Sequence, residues 1–264
     1  MMLLKHNKPL CISLFIIGIF CASCSILLAE QENYHSEKYM FYNANNFYKQ
    51  AKYGEAVKEY EQILNRGFES GNLYYNLANS YLKEGALGKA VLNYERAKKL
   101  ISRDKDLESN YRYAVSLMVQ NIETPQISWL RKLSGNFYGQ FTLNEITVLL
   151  SIICALIFLI LTVRIFLRGD RLRRYLLISV FLFVLFFVAG SFPFHKRVFS
   201  LGREAVVVVK KTEAKFSPFD RATTYFTLYE GAKVYVLLTE DDWNKIKRAD
   251  KKIGWVKKTS LEVI

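Results

Sequence analysis

The sequence predicts a multi-domain chain built from an all-α helical repeat array, a two-helix transmembrane hairpin and a small all-β barrel. Three observations predict it. Similar residues recur 34 positions apart between Glu37 and Asp104, two long apolar runs flank an arginine-rich loop, and short β-branched and aromatic runs alternate with turns after Glu204. At 264 residues there is room for two small folded units beside the apolar segments. The net charge of +13 is dispersed: residues 164–174 hold five arginines against Asp170, and residues 195–264 hold 15 basic against 9 acidic residues. Dispersal of this kind argues against a nucleic-acid face.

At the N-terminus, Lys5 and Lys8 precede the apolar stretch Leu10 to Leu28, and the small Ala29 precedes Glu30-Gln31-Glu32. Residues 1–29 therefore read as an export signal, cleaved after Ala29 or retained as an uncleaved anchor. Ala22-Ser23-Cys24 fits a lipoprotein cleavage box poorly, because Cys21 stands where that pattern wants Leu. Each version sends Glu30 onward across a membrane. Cys11, Cys21, Cys24 and Cys154 all lie in apolar stretches, which leaves the folded units without a disulfide or a thiolate metal site.

The repeat is expected over residues 37–121, as 37–70, 71–104 and a capping helix 105–121. Its pairs are Ala44/Ala78, Phe47/Tyr81, Ala56/Ala90 and Tyr60/Tyr94. Small residues let paired helices approach and aromatics fill the space between pairs. This spacing resembles the tetratricopeptide repeat. That resemblance implies a protein-binding groove on the first helix of each pair, lined by Phe41, Asn45, Tyr48 and Lys49, then by Tyr75, Asn76, Asn79 and Lys83. It also offers a carboxylate clamp, for which Asn45 and Asn76 would supply the asparagines. Phe41, Asp106 and Asn110 occupy the clamp's cationic positions, so capture of a chain terminus is not expected.

Residues 122–141 form a linker whose Trp129, Arg131, Lys132, Phe137, Tyr138 and Phe141 suit either a membrane interface or a loop packed under the repeats. Two membrane helices are expected at 142–163 and 175–194, since about 17 to 25 apolar residues cross a bilayer. Ser151 and Thr162 are expected to return hydrogen bonds to their own helix. Arg164, Arg168, Arg171, Arg173 and Arg174 hold the loop 164–174 in the cytoplasm by the positive-inside rule. The parts on either side then lie outside a bacterial inner membrane, in the periplasm. No charge sits near the middle of the first span, which leaves ion transport without a carrier.

Five strands are expected in the last unit, residues 203–264: Ala205–Val209, Thr223–Leu228, Lys233–Leu238, Trp243–Ile246 and Ile253–Val256. Leu228-Tyr229-Glu230-Gly231, Asp242-Trp243-Asn244-Lys245-Ile246 and Gly254-Trp255-Val256 resemble a bacterial SH3-like domain, which implies a groove at Trp243 and Trp255.

Signal, short repeat array, basic-looped hairpin and SH3-like tail, in that order, resemble the BatE-type proteins of the bacterial aerotolerance (Bat) operon. The resemblance implies partners, namely membrane proteins with von Willebrand factor A domains and a MoxR-type ATPase, in a stress-related envelope complex. No catalytic or cofactor motif is found: there is no phosphate-binding glycine loop, zinc-binding histidine pair or serine elbow. His6, His35 and His195 are scattered. A non-enzymatic scaffold is expected, with a peptidoglycan-binding anchor or a chaperone-like factor for exported proteins as alternatives.

Overall fold

Periodic apolar residues fold the N-terminal half into helical hairpins. The computed structural model describes residues 36–119, 140–167 and 169–264. The signal segment, most of the linker and Arg168 lie outside them. The chain divides into two compact units, one ending at Glu69 and the other spanning Ser70–Ile264.

In the first unit, α1 (residues 36–49) and α2 (Tyr53–Asn65) form one hairpin. Met40, Ala44, Ala56, Tyr60 and Ile63 are buried in it, and Arg66 pairs with Glu37 at 3.1 Å. In the second unit, α3 (Gly71–Lys83) and α4 (Leu87–Leu100) form the equivalent hairpin. It is followed by α5 (Lys105–Ser116), which ends short of the expected Asn121. Ser70 and Asp104, 34 residues apart, both cap the following helix, accepting from the amides of Leu73 at 3.1 Å and Leu107 at 2.8 Å.

Next come two helices long and apolar enough to cross a membrane, α6 (Leu143–Phe166) and α7 (Asp170–Ser200). At ~1.5 Å rise per residue they are roughly 36 and 46 Å long. Both exceed the expected spans. α6 starts at a capping box between Thr142 and Glu145, and α7 begins inside the expected loop, so Arg171, Arg173 and Arg174 sit in its first turns. The two helices pack together, and Gly190 of α7 leaves just enough room for Leu150 of α6. Their other sides are open: Phe181, Phe186 and Phe192 are 68%, 67% and 77% exposed. Ser151 and Thr162 do return hydrogen bonds to their own helix, to the carbonyls of Thr147 and Phe158, each at 2.9 Å.

The C-terminal part is an open antiparallel sheet of seven strands. They are β1 (Glu204–Val207), β2 (Lys211–Lys215), β3 (Thr224–Tyr229), β4 (Lys233–Glu240), β5 (Trp243–Arg248), β6 (Ile253–Lys257) and β7 (Leu261–Val263), in the order β3-β2-β6-β5-β4-β1-β7. Five match the expected strands. β2 and β7 are additions, and β2 escapes a search for apolar alternation because only Ala214 of Lys211-Thr212-Glu213-Ala214-Lys215 is buried. Ala205, Val207, Leu228, Ile246 and Val256 form the core.

Within the second unit the sheet packs on α4. Gly88 permits this approach, since a Cβ there would stand 2.7 Å from the Val207 carbonyl oxygen. Arg96 donates to the Val263 carbonyl at 2.7 Å and Lys99 to the Ile264 carbonyl at 2.9 Å. At the other end, Lys210 donates to the Gly85 carbonyl at 3.1 Å and pairs with Glu230. The roots of the apolar helices join the same body: Arg103 pairs with Glu145, Ser102 donates to the Gln140 carbonyl, and Arg197 donates to the Phe141 carbonyl.

Candidate functional site

Most of the expected groove residues of the helical hairpins serve the hairpins themselves. In α1, Asn45 accepts a hydrogen bond from the Tyr60 hydroxyl at 2.6 Å, and the Phe41 ring lies 5.8 Å from that of Tyr60. In α3, Asn79 accepts from the Tyr94 hydroxyl at 2.5 Å, and the Tyr75 ring lies 6.2 Å from that of Tyr94. These are one arrangement repeated at an offset of 34. A buried tyrosine hydroxyl needs a partner, and the asparagine side chain supplies it. Asn110 of α5 then donates to both Tyr75 and Asn79, tying the third helix to the second hairpin.

Phe41, Asn45, Tyr75 and Asn79 are therefore half-buried structural residues. The spacing pairs Asn45 with Asn79, whereas the clamp pattern pairs it with Asn76, whose carbonyl accepts from Ser80. Tyr48 makes an edge-on contact with Tyr53 at 5.3 Å. Lys49 and Lys83 are exposed, each near the end of its helix. They are the members of the set best placed to meet a partner.

A second candidate is a hollow of about 360 Å3 on the sheet, lined by Lys211, Thr212, Glu213, Lys215, Asp220, Trp243, Lys257 and Ser260. Trp243 and Trp255 are only 8% exposed, so both act mainly in packing. Trp243 still forms part of the wall, with Lys257 over its ring at 5.7 Å. Trp255 is not among the lining residues, and its ring faces Lys245 at 5.5 Å. Asp220 bridges the rim, pairing with Lys257 at 2.8 Å and accepting from Lys215 through its carbonyl. The Lys257 hydrogen bond and charge hold the Asp220 carboxyl below its usual range. Among the described residues, Lys211 is the lining cation for which no such tie is seen.

The third feature, which sequence reasoning missed, is a buried charge at the contact between sheet and helices. Glu95 of α4 pairs with Lys233 of β4 at 3.0 Å and accepts from the Tyr111 hydroxyl. Burial pushes the Glu95 carboxyl up, but Lys233, Tyr111 and Lys98 together outweigh it and hold the group below the ordinary carboxylate range. Burial and the adjacent carboxylate push the Tyr111 hydroxyl far up, so it remains a donor. The cluster is a latch. Among the described residues, no group of three or more His, Cys, Asp or Glu side chains is placed to hold a metal. Comparison of the sequence with protein-family models gives no match, and comparison with curated proteins gives none either.

Proposed function

We propose that this chain is a membrane-anchored scaffold. In this reading α6 and α7 cross a bacterial inner membrane, and tetratricopeptide-type hairpins and an SH3-like sheet lie on its outer side to hold partner proteins. The observation that carries the reading is the exposure of apolar side chains on the sides of α6 and α7 that do not face each other. At roughly 25 cal/mol per Å2 of apolar surface, water would strongly oppose such helices and hydrocarbon would not. Hydroxyls returned to their own backbone suit the same solvent. Arg171, Arg173 and Arg174 at the start of α7 run against its helix dipole, so their placement gains nothing for the helix and suits a topological role.

The order of parts supports a BatE-type role in an envelope complex, with von Willebrand factor A membrane proteins and a MoxR-type ATPase as partners. A second reading, a peptidoglycan-binding anchor, draws on the basic hollow beside Trp243.

Membrane sidedness provides the test. In a variant with all four cysteines replaced, Ser200→Cys is expected to react with a membrane-impermeant maleimide in intact spheroplasts. Gly169→Cys is expected to react only after permeabilisation. The opposite pattern would place the folded units in the cytoplasm and end the scaffold reading.

A further inference from the structure

The sheet has two outer strands, and they are treated differently. β7 is covered, because Arg96 and Lys99 of α4 reach the carbonyls of Val263 and Ile264. β3 pairs only with β2 among the described residues. An open edge exposes a row of amides and carbonyls to any extended chain, and proteins blunt such edges with charge, proline or a covering element. Thr224-Tyr225-Phe226-Thr227-Leu228-Tyr229 contains neither a charge nor a proline.

The edge also has a defined polarity. The Glu230 amide donates to the Lys210 carbonyl, and antiparallel alternation along the regular register then directs the amide and carbonyl of Thr227 away from β2. Beside them lies an aromatic shelf. The Phe216 and Tyr225 rings stack at 4.5 Å and are 60% and 43% exposed. The charge around it is mixed with a basic excess: Lys252 lies over the Tyr225 ring beside Arg248 and Lys211 lies opposite Tyr229, against Asp250, which pairs with Arg248 and Lys252, and Glu213, which lies opposite Thr227 and accepts from Thr224. Residues 195–264 carry 15 basic against 9 acidic residues.

We infer that β3 takes up an eighth strand from a partner protein, an extended acidic segment with apolar side chains at alternate positions. Backbone hydrogen bonds to the Thr227 edge would give the affinity, and the Phe216–Tyr225 shelf and surrounding lysines the choice of partner. Pairing of two copies through the same edge is disfavoured by the shared positive charge. The inference rests on the scaffold reading for the existence of a partner; the edge itself does not depend on membrane sidedness.

The test uses the full chain in nanodiscs of neutral lipid and a fluorescent peptide of about seven residues alternating glutamate and valine. Saturable binding that weakens with added salt is expected. Thr227→Pro removes the outward amide while leaving the β2 ladder, and is expected to weaken binding by roughly tenfold or more. Tyr225→Glu, a change at an exposed side chain, is expected to do the same by repulsion, which keeps the proposal testable should the proline variant fail to fold. A lysine-valine peptide should bind much more weakly. Undiminished binding by both variants, or no saturable binding by the unaltered chain, would overturn strand addition. So would sedimentation showing a dimer that Tyr225→Glu abolishes, since the edge would then belong to a second copy. None of these outcomes alters the maleimide pattern, so the two proposals fail separately.

Discussion

The two helical hairpins share one wiring pattern and differ at their turns. Tyr60 to Asn45 and Tyr94 to Asn79 are the same hydrogen bond, and the small residues Ala44/Ala78 and Ala56/Ala90 correspond in the same way, all four alanines fully buried. The turn between helices also repeats, since Lys52 donates to the Phe47 carbonyl and Ala86 to the Tyr81 carbonyl, each at 2.9 Å. This closure requires a left-handed residue just after the helix. The second hairpin has Gly85 there at φ 80°, whereas the first has Ala51 at φ 58°. Glycine adopts that conformation without the steric penalty of a Cβ, so the first hairpin carries strain that the second avoids. The lesson is that an internal repeat preserves contacts more faithfully than the residues that make its turns comfortable. The second hairpin has also acquired a neighbour, the sheet seated on α4.

Four substitutions test how far the two hairpins correspond and what the sheet adds to the second. The largest effect is expected from Gly88→Val, whose side chain would meet the Val207 carbonyl and the Val208 backbone. Backbone cannot yield as a flexible side chain does, so a loss of about 3 kcal/mol is expected in urea unfolding of the second unit. A near-neutral result would mean that helix and sheet part readily.

Next is Lys233→Met at the latch, which leaves the buried Glu95 carboxylate with Tyr111 as its direct partner. A loss of about 2 kcal/mol is expected, moderated because Lys233 is 44% exposed. The pH dependence has a definite sign. Since the Glu95 carboxyl is held below its ordinary value of 4.5, its contribution is complete above that pH and disappears as pH falls through the lowered folded value. Removing Lys233 raises the folded value, so acid unfolding followed by circular dichroism should begin at higher pH. A midpoint unchanged or moved to lower pH would show that Lys233 does not hold the carboxylate.

The smallest pair of effects is reciprocal. Ala51→Gly should stabilise the first hairpin by about 1 kcal/mol, and Gly85→Ala should destabilise the second by about as much. Amide exchange on each hairpin would measure both. Equal signs would show that the two turns are not equivalent.

Much of this architecture is legible because it is local. The 34-residue spacing, the apolar runs and five of the strands follow from side chains that alternate or recur within a few turns. β2 is not legible, because its charged sequence is held in place by β3 and β6 rather than by its own pattern. The arginines of the 164–174 stretch read as a loop by charge, yet several continue into helix, where neither propensity nor spacing forbids them. Asn45 and Asn79 look like surface polar residues until their tyrosines are seen to be buried. The contacts of Gly88 with Val207 and of Glu95 with Lys233 join residues more than a hundred positions apart, and no periodicity announces them.

The contact of α4 with the sheet has a mechanical meaning. Because Gly88 and Gly85 are fastened to one end of β1 and its flanks while Arg96 and Lys99 grip the carbonyls of Val263 and Ile264 near its other end, the helix is braced along its length like a splint. A pull applied to either element would be borne by both; Arg103 links this body to the root of α6, and Arg197 links that root to α7.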